Sequence, residues 1–456
     1  MNERNAYLGE KPIGKLLFQL ALPAVTAQLI NLLYSLVDRM YIGRIPDVGA
    51  YALTGIGITL PVILIITAFS SLIGMGGAPR VSVFLGKQEY ERAEQTVGNC
   101  VSMILIIAVI LTIIFSVWTK EILTLFGGSE ETLPYAMEYM KIYVLGTIFV
   151  QLSLGLNPFI TAQGFAKTSM ITVVVGAIIN IILDPIFIFG FGMGVKGAAL
   201  ATILAQCVSS IWVIVFLTGK KTMLRIRREN LRPTLAIILP VLGLGVSPFI
   251  MQITESLLQM TFNTSLLKYG GNTAVGAMTI LTSVMQLAMM PLNGISQGMQ
   301  PIMGYNYGAG NIARVKGIFR LTAIVSVTYT STYWLVNMIF PQAFASIFTT
   351  DTELIAYTAW AIRIYMAVYL IYGLQTVCQQ SFIALGNAIT SLFLAIWRKI
   401  ILLIPLIYIL PNFFEDKVFA VFLAEPVSDF LAVCTTVTVF AIQFKKTLRK
   451  MEDGNK

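Results

Sequence analysis

Asp184 stands inside the run NIILDPIFIF (residues 180–189), within an apolar stretch of more than twenty residues. A carboxylate at the centre of a bilayer costs about 2.5–3.5 kcal/mol on insertion scales, so a chain that keeps one has a use for it. Asn180 and Asp184 are four residues apart and share one helix face, and Pro185 lacks an N–H, which leaves the carbonyl of Ile181 open to a cation. Asp184 lies seven residues before the end of its stretch, roughly 10 Å deep, while Thr202 (six residues past Lys196) and Asp38 (six before Arg44) each lie about 9 Å deep. Asp38, Asn180, Asp184 and Thr202 can therefore meet at one level as an oxygen cage that takes up and releases a proton or a sodium ion. The competing reading leaves Asp38 capping the loop beside Arg39 and Arg44, with Asp184 merely hydrogen-bonded to its neighbours.

Other polar side chains form stripes on apolar helices. Gln28, Asn31, Ser35 and Asp38 follow helical spacing on one face, with the aromatic Tyr34 among them, and Gln252, Glu255, Gln259 and Asn263 do the same further on. Such stripes face protein or a substrate path rather than lipid, and Glu255 is a second candidate for protons or for a cationic substrate. Glu425 and Asp429, again four apart, have Arg363, Arg398 and Lys399 as potential partners in a structural ion-pair network. The methionines at 251, 260, 278, 285, 289, 290, 299 and 303 offer flexible thioethers that repack around varied ligands, or else simple core filler. Phe149 and Phe159 are further aromatic surfaces on which a planar cation can stack.

The surroundings of these groups are a membrane. Of 456 residues 57% are apolar and only 12% charged, with a mean hydropathy of +0.80, against about 25% charged in soluble domains. The chain contains no histidine, which removes the commonest general base and metal ligand, and its four cysteines sit singly in apolar runs. Neither an enzyme nor a disulfide framework is indicated, no cofactor is called for, and the absence of a GxxxxGK[ST] motif excludes ATP as the energy source.

Twelve apolar stretches are long enough to cross a hydrocarbon core of about 30 Å: residues 14–37, 53–78, 95–118, 139–163, 168–190, 195–218, 235–267, 273–304, 318–341, 357–385, 390–411 and 418–444. They are numbered spans 1 to 12. With the N-terminus inside, the loops after spans 2, 6 and 8 and the C-terminal tail gather the basic residues, while the outside keeps only Arg39, Arg44, Lys120, Lys141, Lys196, Lys268 and Lys417. Both termini are therefore expected in the cytoplasm of a plasma (inner) membrane protein. The basic run KKTMLRIRREN reads as a linker between halves, not as a nucleic-acid-binding arm.

The halves are related. Ala162-Gln-Gly-Phe-Ala-Lys-Thr-Ser169 recurs as Ala384-Leu-Gly-Asn-Ala-Ile-Thr-Ser391, and the same offset of 222 pairs Gly76 with Gly298, Pro79 with Pro301 and Arg92 with Arg314. The expected architecture is an all-α integral membrane protein of twelve transmembrane helices in two six-helix lobes, related by a pseudo-two-fold axis along the membrane normal. Residues 1–218 form the first lobe, 219–234 a cytoplasmic linker and 235–456 the second lobe. The acids break the symmetry: aligned on Pro185 and Pro405, Asp184 meets Ile404 and Asn180 meets Ile400.

The stretches LVDRMYIGRI, APRVSVFLGKQEYERA, its echo QPIMGYNYGAGNIARVK, and LDPIFIFGFGMGVKGAALAT together resemble the multidrug and toxic compound extrusion (MATE) family along essentially the whole chain. The resemblance implies a secondary exporter that expels small organic cations in exchange for protons or sodium ions by alternating access. It also implies that Asp38, Asn180, Asp184 and Thr202 occupy the cation-coupling positions. Some family members pair a glutamate of span 7 with an aspartate of span 10, where this chain has Gln379 and Gln380. The alternative is a flippase for lipid-linked or other amphipathic substrates, which calls for a cationic cavity, whereas Asp38, Asp184 and Glu255 are acidic. A monomer in the lipid bilayer satisfies every feature of the sequence. In a cysteine-free background, an impermeant thiol reagent outside intact cells is expected to label a cysteine at position 272 and spare one at 230; the reverse pattern overturns the orientation.

Overall fold

The computed structural model describes residues 3–454, and among them every regular element is helical. Span 1 is Ile13–Gly43, span 2 Gly49–Gly86, span 3 Tyr90–Leu125, span 5 Ala166–Pro185 continued by a π turn over Ile186–Gly190, and span 6 Val195–Thr218. Spans 7 and 8 form the near-continuous Leu235–Gly308, divided at Gly271, whose φ of 64° only glycine adopts without strain. Span 9 is Ile312–Ile339, less apolar because of its Thr, Ser and Tyr residues but long enough to cross at 28 residues. Span 11 runs from Ala388 to Asn412 through a π segment at Trp397–Leu403, and span 12 is Lys417–Gly454. Several helices extend past the apolar stretches by one to three turns, because a helix continues into headgroup and water once its ladder is established.

Spans 4 and 10 are not the single rods that the sequence suggested. Span 4 is Leu133–Leu145 and Thr147–Ala162, bent by 60°, and span 10 is Thr352–Tyr365 and Tyr369–Ala384, bent by 53°. The breaks, at Gly146 and at Met366–Val368, fall on the duplication register. So do the tight turns that follow each of these spans, where Gly164 and Gly386 take φ of 86° and 80°. The two copies thus share irregular backbone as well as residues, which is strong support for a common ancestral unit.

The packing division differs from the ancestral one. One compact unit is Leu22–Phe249; the other joins Met1–Ala21 to Ile250–Lys456. Each unit therefore contains the entrance of a first helix belonging to the other copy. The contact is made at equivalent glycines: a Cβ on Gly76 would stand 2.2 Å from the Val241 carbonyl oxygen, and one on Gly298 would stand 2.6 Å from the Ala21 amide nitrogen. The segments that lead into these helices are fastened in the same crossed sense. In the first unit Gln163 Oε1 accepts from the amides of Met223 (2.8 Å) and Leu224 (3.2 Å), and Asn99 binds the backbone of Asn230 and Thr234. In the second, Arg314 donates to the carbonyls of Leu8 (3.2 Å) and Lys11 (2.8 Å), and Asn306 also donates to Leu8. Asn230 packs against Gly98, so its exposed neighbour Glu229 is the better position for an inside-facing cysteine.

These contacts predict unequal costs for the same change. Gly76→Ala and Gly298→Ala are expected to destabilise by about 2–3 kcal/mol or more, since backbone on a second helix has to move. Gly57→Ala, with nothing within 4 Å of its Cβ, should be neutral or up to about 1 kcal/mol more stable. Thermal unfolding of the detergent-purified chain ranks the three.

Candidate functional site

The structure brings Asp38, Asn180, Asp184 and Thr202 together within the Leu22–Phe249 unit. Asn180 and Asp184 are buried on one face of span 5, and the Asn180 amide donates to Asp184 Oδ1 at 3.3 Å and to Thr202 Oγ1 at 3.4 Å. Asp38, half-buried on span 1, approaches Asp184 across the unit closely enough for the two carboxyl groups to act on each other. That contact fixes the chemistry, because two carboxylates in contact repel unless a proton or a metal cation is shared between them. Three oxygens of the group, Asp38 Oδ1, Asn180 Oδ1 and Asp184 Oδ2, are buried with no hydrogen-bond donor. Unsatisfied acceptors are costly in an apolar interior, and together they are suited to a small cation.

The surroundings of the site include two residues that sequence pattern did not single out. Tyr139 lies beside Thr202, and its ring stacks on Tyr143 one turn later at 5.9 Å between centroids. Tyr139 was legible only as the first residue of an apolar stretch; the bend at Gly146, unread from sequence, belongs to the same span. Tyr34, placed on the span 1 stripe by spacing, lies close enough to Asp38 and Asp184 to sense both charges. The remaining stripe residues Gln28, Asn31 and Ser35 are half-buried and make no recorded side-chain bond to the carboxyl pair.

In the other unit each buried acid has a basic partner. Arg398 donates through Nε to Asp429 Oδ1 (2.7 Å), through Nη2 to Glu425 Oε1 (3.2 Å) and through Nη1 to the hydroxyl of Tyr372 (2.8 Å), over whose ring it stacks. Of the three basic candidates, Arg398 thus serves both acids of span 12, while Arg363 is exposed. Lys399 goes elsewhere, to Glu255 and to the carbonyl of Met251 (3.1 Å). The side chain of Glu255 is 58% exposed, that of Lys399 only 8%. Gln252 is half-buried with its Oε1 unpaired, and Gln259 is exposed. Gln380 binds Gln300 at 2.6 Å. Met278, Met299, Met303 and Phe159 are buried in their units and Phe149 packs on a core, which leaves Met260 as the most exposed thioether of the series.

The fold and a pair of facing carboxyl groups within its apolar spans define a multi-pass membrane protein of the transporter type. The MatE family model matches residues 23–186 and 248–409, one match in each copy, and the chain belongs to that family, whose members are membrane transporters and not enzymes. It is 26% identical over 451 residues to the multidrug export protein MepA of Staphylococcus haemolyticus (strain JCSC1435), covering 98% of both chains. It is 24% identical to MepA of Staphylococcus aureus (strain NCTC 8325 / PS 47), covering 99% of both. Among solved structures, a MATE protein in the bent conformation aligns with a TM-score of 0.92 at 21% identity, over 99% of this chain and 100% of that one. A MOP-superfamily transporter from Pyrococcus furiosus, described as having a binding pocket of reverse polarity, aligns at 0.91 and 21% identity, over 98% and 99%. The all-helical, twelve-span architecture expected from the sequence is thereby met.

The ion pairs of the second unit predict a large stability effect. Arg398→Met strands Glu425 and Asp429 beside each other without a cation and is expected to cost about 3–5 kcal/mol. Arg363→Met, at an exposed position, should stay within about 0.5 kcal/mol of the parent. Detergent melting curves compare the two.

Proposed function

We propose that this chain is a secondary active multidrug exporter that moves small organic cations outward in exchange for protons or sodium ions. The observation that carries the reading is the Asp38–Asp184 contact, with three donor-free oxygens around it. A group that must load one ion, release it and load again needs acceptors that no permanent partner occupies, and this unit holds such a set at membrane depth. The relatives named as multidrug export proteins span the whole chain and support the same reading. Transport by alternating access, as a monomer in the plasma (inner) membrane with both termini cytoplasmic, fits the duplication and the distribution of Lys and Arg.

Coupling belongs to the first copy in this reading, and Glu255 contributes to recognition of the cation carried. The flippase alternative would need cationic groups free to meet a pyrophosphate. The buried cations Arg398 and Lys399 are instead committed to carboxylates, which favours export.

The test is transport in liposomes. Asp184→Asn and Asp38→Asn keep shape but cannot exchange a proton, so each is expected to lower gradient-driven export of a fluorescent organic cation at least a hundredfold. Both should insert normally and still bind the dye. Glu255→Gln is expected to weaken some cations more than others. Normal gradient-driven transport by both aspartate variants, with Glu255→Gln dead toward every substrate, would move coupling to span 7. Imposing a proton gradient and a sodium gradient separately identifies the coupling ion.

A further inference from the structure

The second unit holds an odd number of charges. Glu255 on span 7 and Glu425 and Asp429 on span 12 are three carboxyl groups, and Arg398 and Lys399 on span 11 are the two basic groups paired with them. The other titratable groups facing them are tyrosines: Tyr365, close enough to Glu255, Glu425 and Asp429 to sense their charges, and Tyr369 and Tyr372 of the same bent span 10. Neutral phenols do not balance a carboxylate. If all three acids were ionised, the cluster would keep one uncompensated negative charge with Arg398, Lys399, Glu425 and Asp429 all at least nine-tenths buried. Isolated buried charge is among the costliest things a fold can hold, and the ordinary escape is to bind a proton.

The geometry also says where the proton goes. Arg398 is divided between two acids and holds Asp429 at 2.7 Å but Glu425 at 3.2 Å. Glu425 Oε2 is buried with no donor, whereas its Oε1 is the atom facing the guanidinium. Glu425 precedes Pro426 and sits four residues before Asp429, as Asp184 precedes Pro185 and sits four residues after Asn180. Each unit thus carries an acid–proline pair within a span, with an unpaired buried oxygen on the acid. We propose that the Glu255–Lys399–Arg398–Glu425–Asp429 cluster is a second proton-binding site, which holds one exchangeable proton on Glu425 at neutral pH. Glu255 is its one exposed member. Because the two ion-paired groups are joined through the adjacent residues Arg398 and Lys399, the proton belongs to the set and its residence on Glu425 is the favoured arrangement within it. This count is a property of the folded unit and stands whether or not the Asp38–Asp184 pair couples export.

Infrared spectroscopy of the purified full-length protein at neutral pH reads the count directly through the C=O stretch of protonated carboxyl groups. Glu425→Gln is expected to remove the intensity of one group, in the parent and equally in an Asp38→Asn/Asp184→Asn background, where the first site is silent. Lys399→Met leaves three acids facing one cation and is expected to add the intensity of one group. Glu353→Gln, exposed at the start of span 10, should change nothing. If Glu425→Gln leaves the band unaltered, all three acids are ionised and the proposal falls. Should that variant not fold, an unaltered band in Lys399→Met overturns it as well.

Discussion

A charge in hydrocarbon has to be cancelled locally, and the polar half of this structure is arranged around that requirement. Water is absent as a screening medium, so every buried acid needs a cation, a proton or a donor within hydrogen-bonding distance. The two units answer in different ways. In the first, Asp38 and Asp184 face one another without a basic side chain bonded to either, Arg39 acting on Asp38 only as a neighbouring charge, and this is the arrangement that the proposed exchangeable ion would complete. In the second, Arg398 and Lys399 are built into the helix and cancel most of the charge permanently. A site completed by a mobile ion can sense a gradient; one completed largely by side chains holds helices together and leaves at most its surplus charge to a proton.

The backbone adjusts to serve these groups. Pro185 and the π turn at Ile186–Gly190 lie immediately after Asp184, and the π segment Trp397–Leu403 contains both Arg398 and Lys399. A π turn adds a residue to the helical repeat and rotates the helix beyond it, which changes the face on which neighbouring side chains emerge. Adjacent residues on a regular α-helix point about 100° apart. Arg398 and Lys399 nevertheless both find acids, one on span 12 and the other on span 7.

Much of this was legible in the sequence, and the limits have physical causes. Span number and the meeting of Asp38, Asn180, Asp184 and Thr202 could be read because hydrophobic length, helical depth and the i, i+4 relation of Asn180 and Asp184 are local or nearly so. The bends at Gly146 and Met366–Val368 were not, since both segments stay apolar through the break and hydropathy carries no direction. By its place in the chain Lys399 is one of three candidate bases for span 12, but its pairing with Glu255 depends on how spans 7 and 11 pack, which no spacing within either span encodes. The crossed packing of the first-helix entrances was equally invisible: the duplication register locates equivalent residues, yet it does not say which copy each helix packs against.

That crossing bears on how a duplicated chain stays one molecule. If each copy packed only with itself, the halves would be joined by little more than the 219–234 segment. Instead Ala21 lies on Gly298 and Val241 lies on Gly76, each contact backbone to backbone at a glycine where a methyl group does not fit. Pro23, just past the division in span 1, and Pro240 and Pro248, just before it in span 7, weaken the helical ladder near the point where each first helix passes from one unit to the other. Asp38 lies four turns beyond Pro23 on span 1, so the helix that carries one carboxyl of the Asp38–Asp184 pair is the same helix whose entrance belongs to the other packing unit, and the proposed ion site is built on an element that the duplication alone would have assigned to a single half.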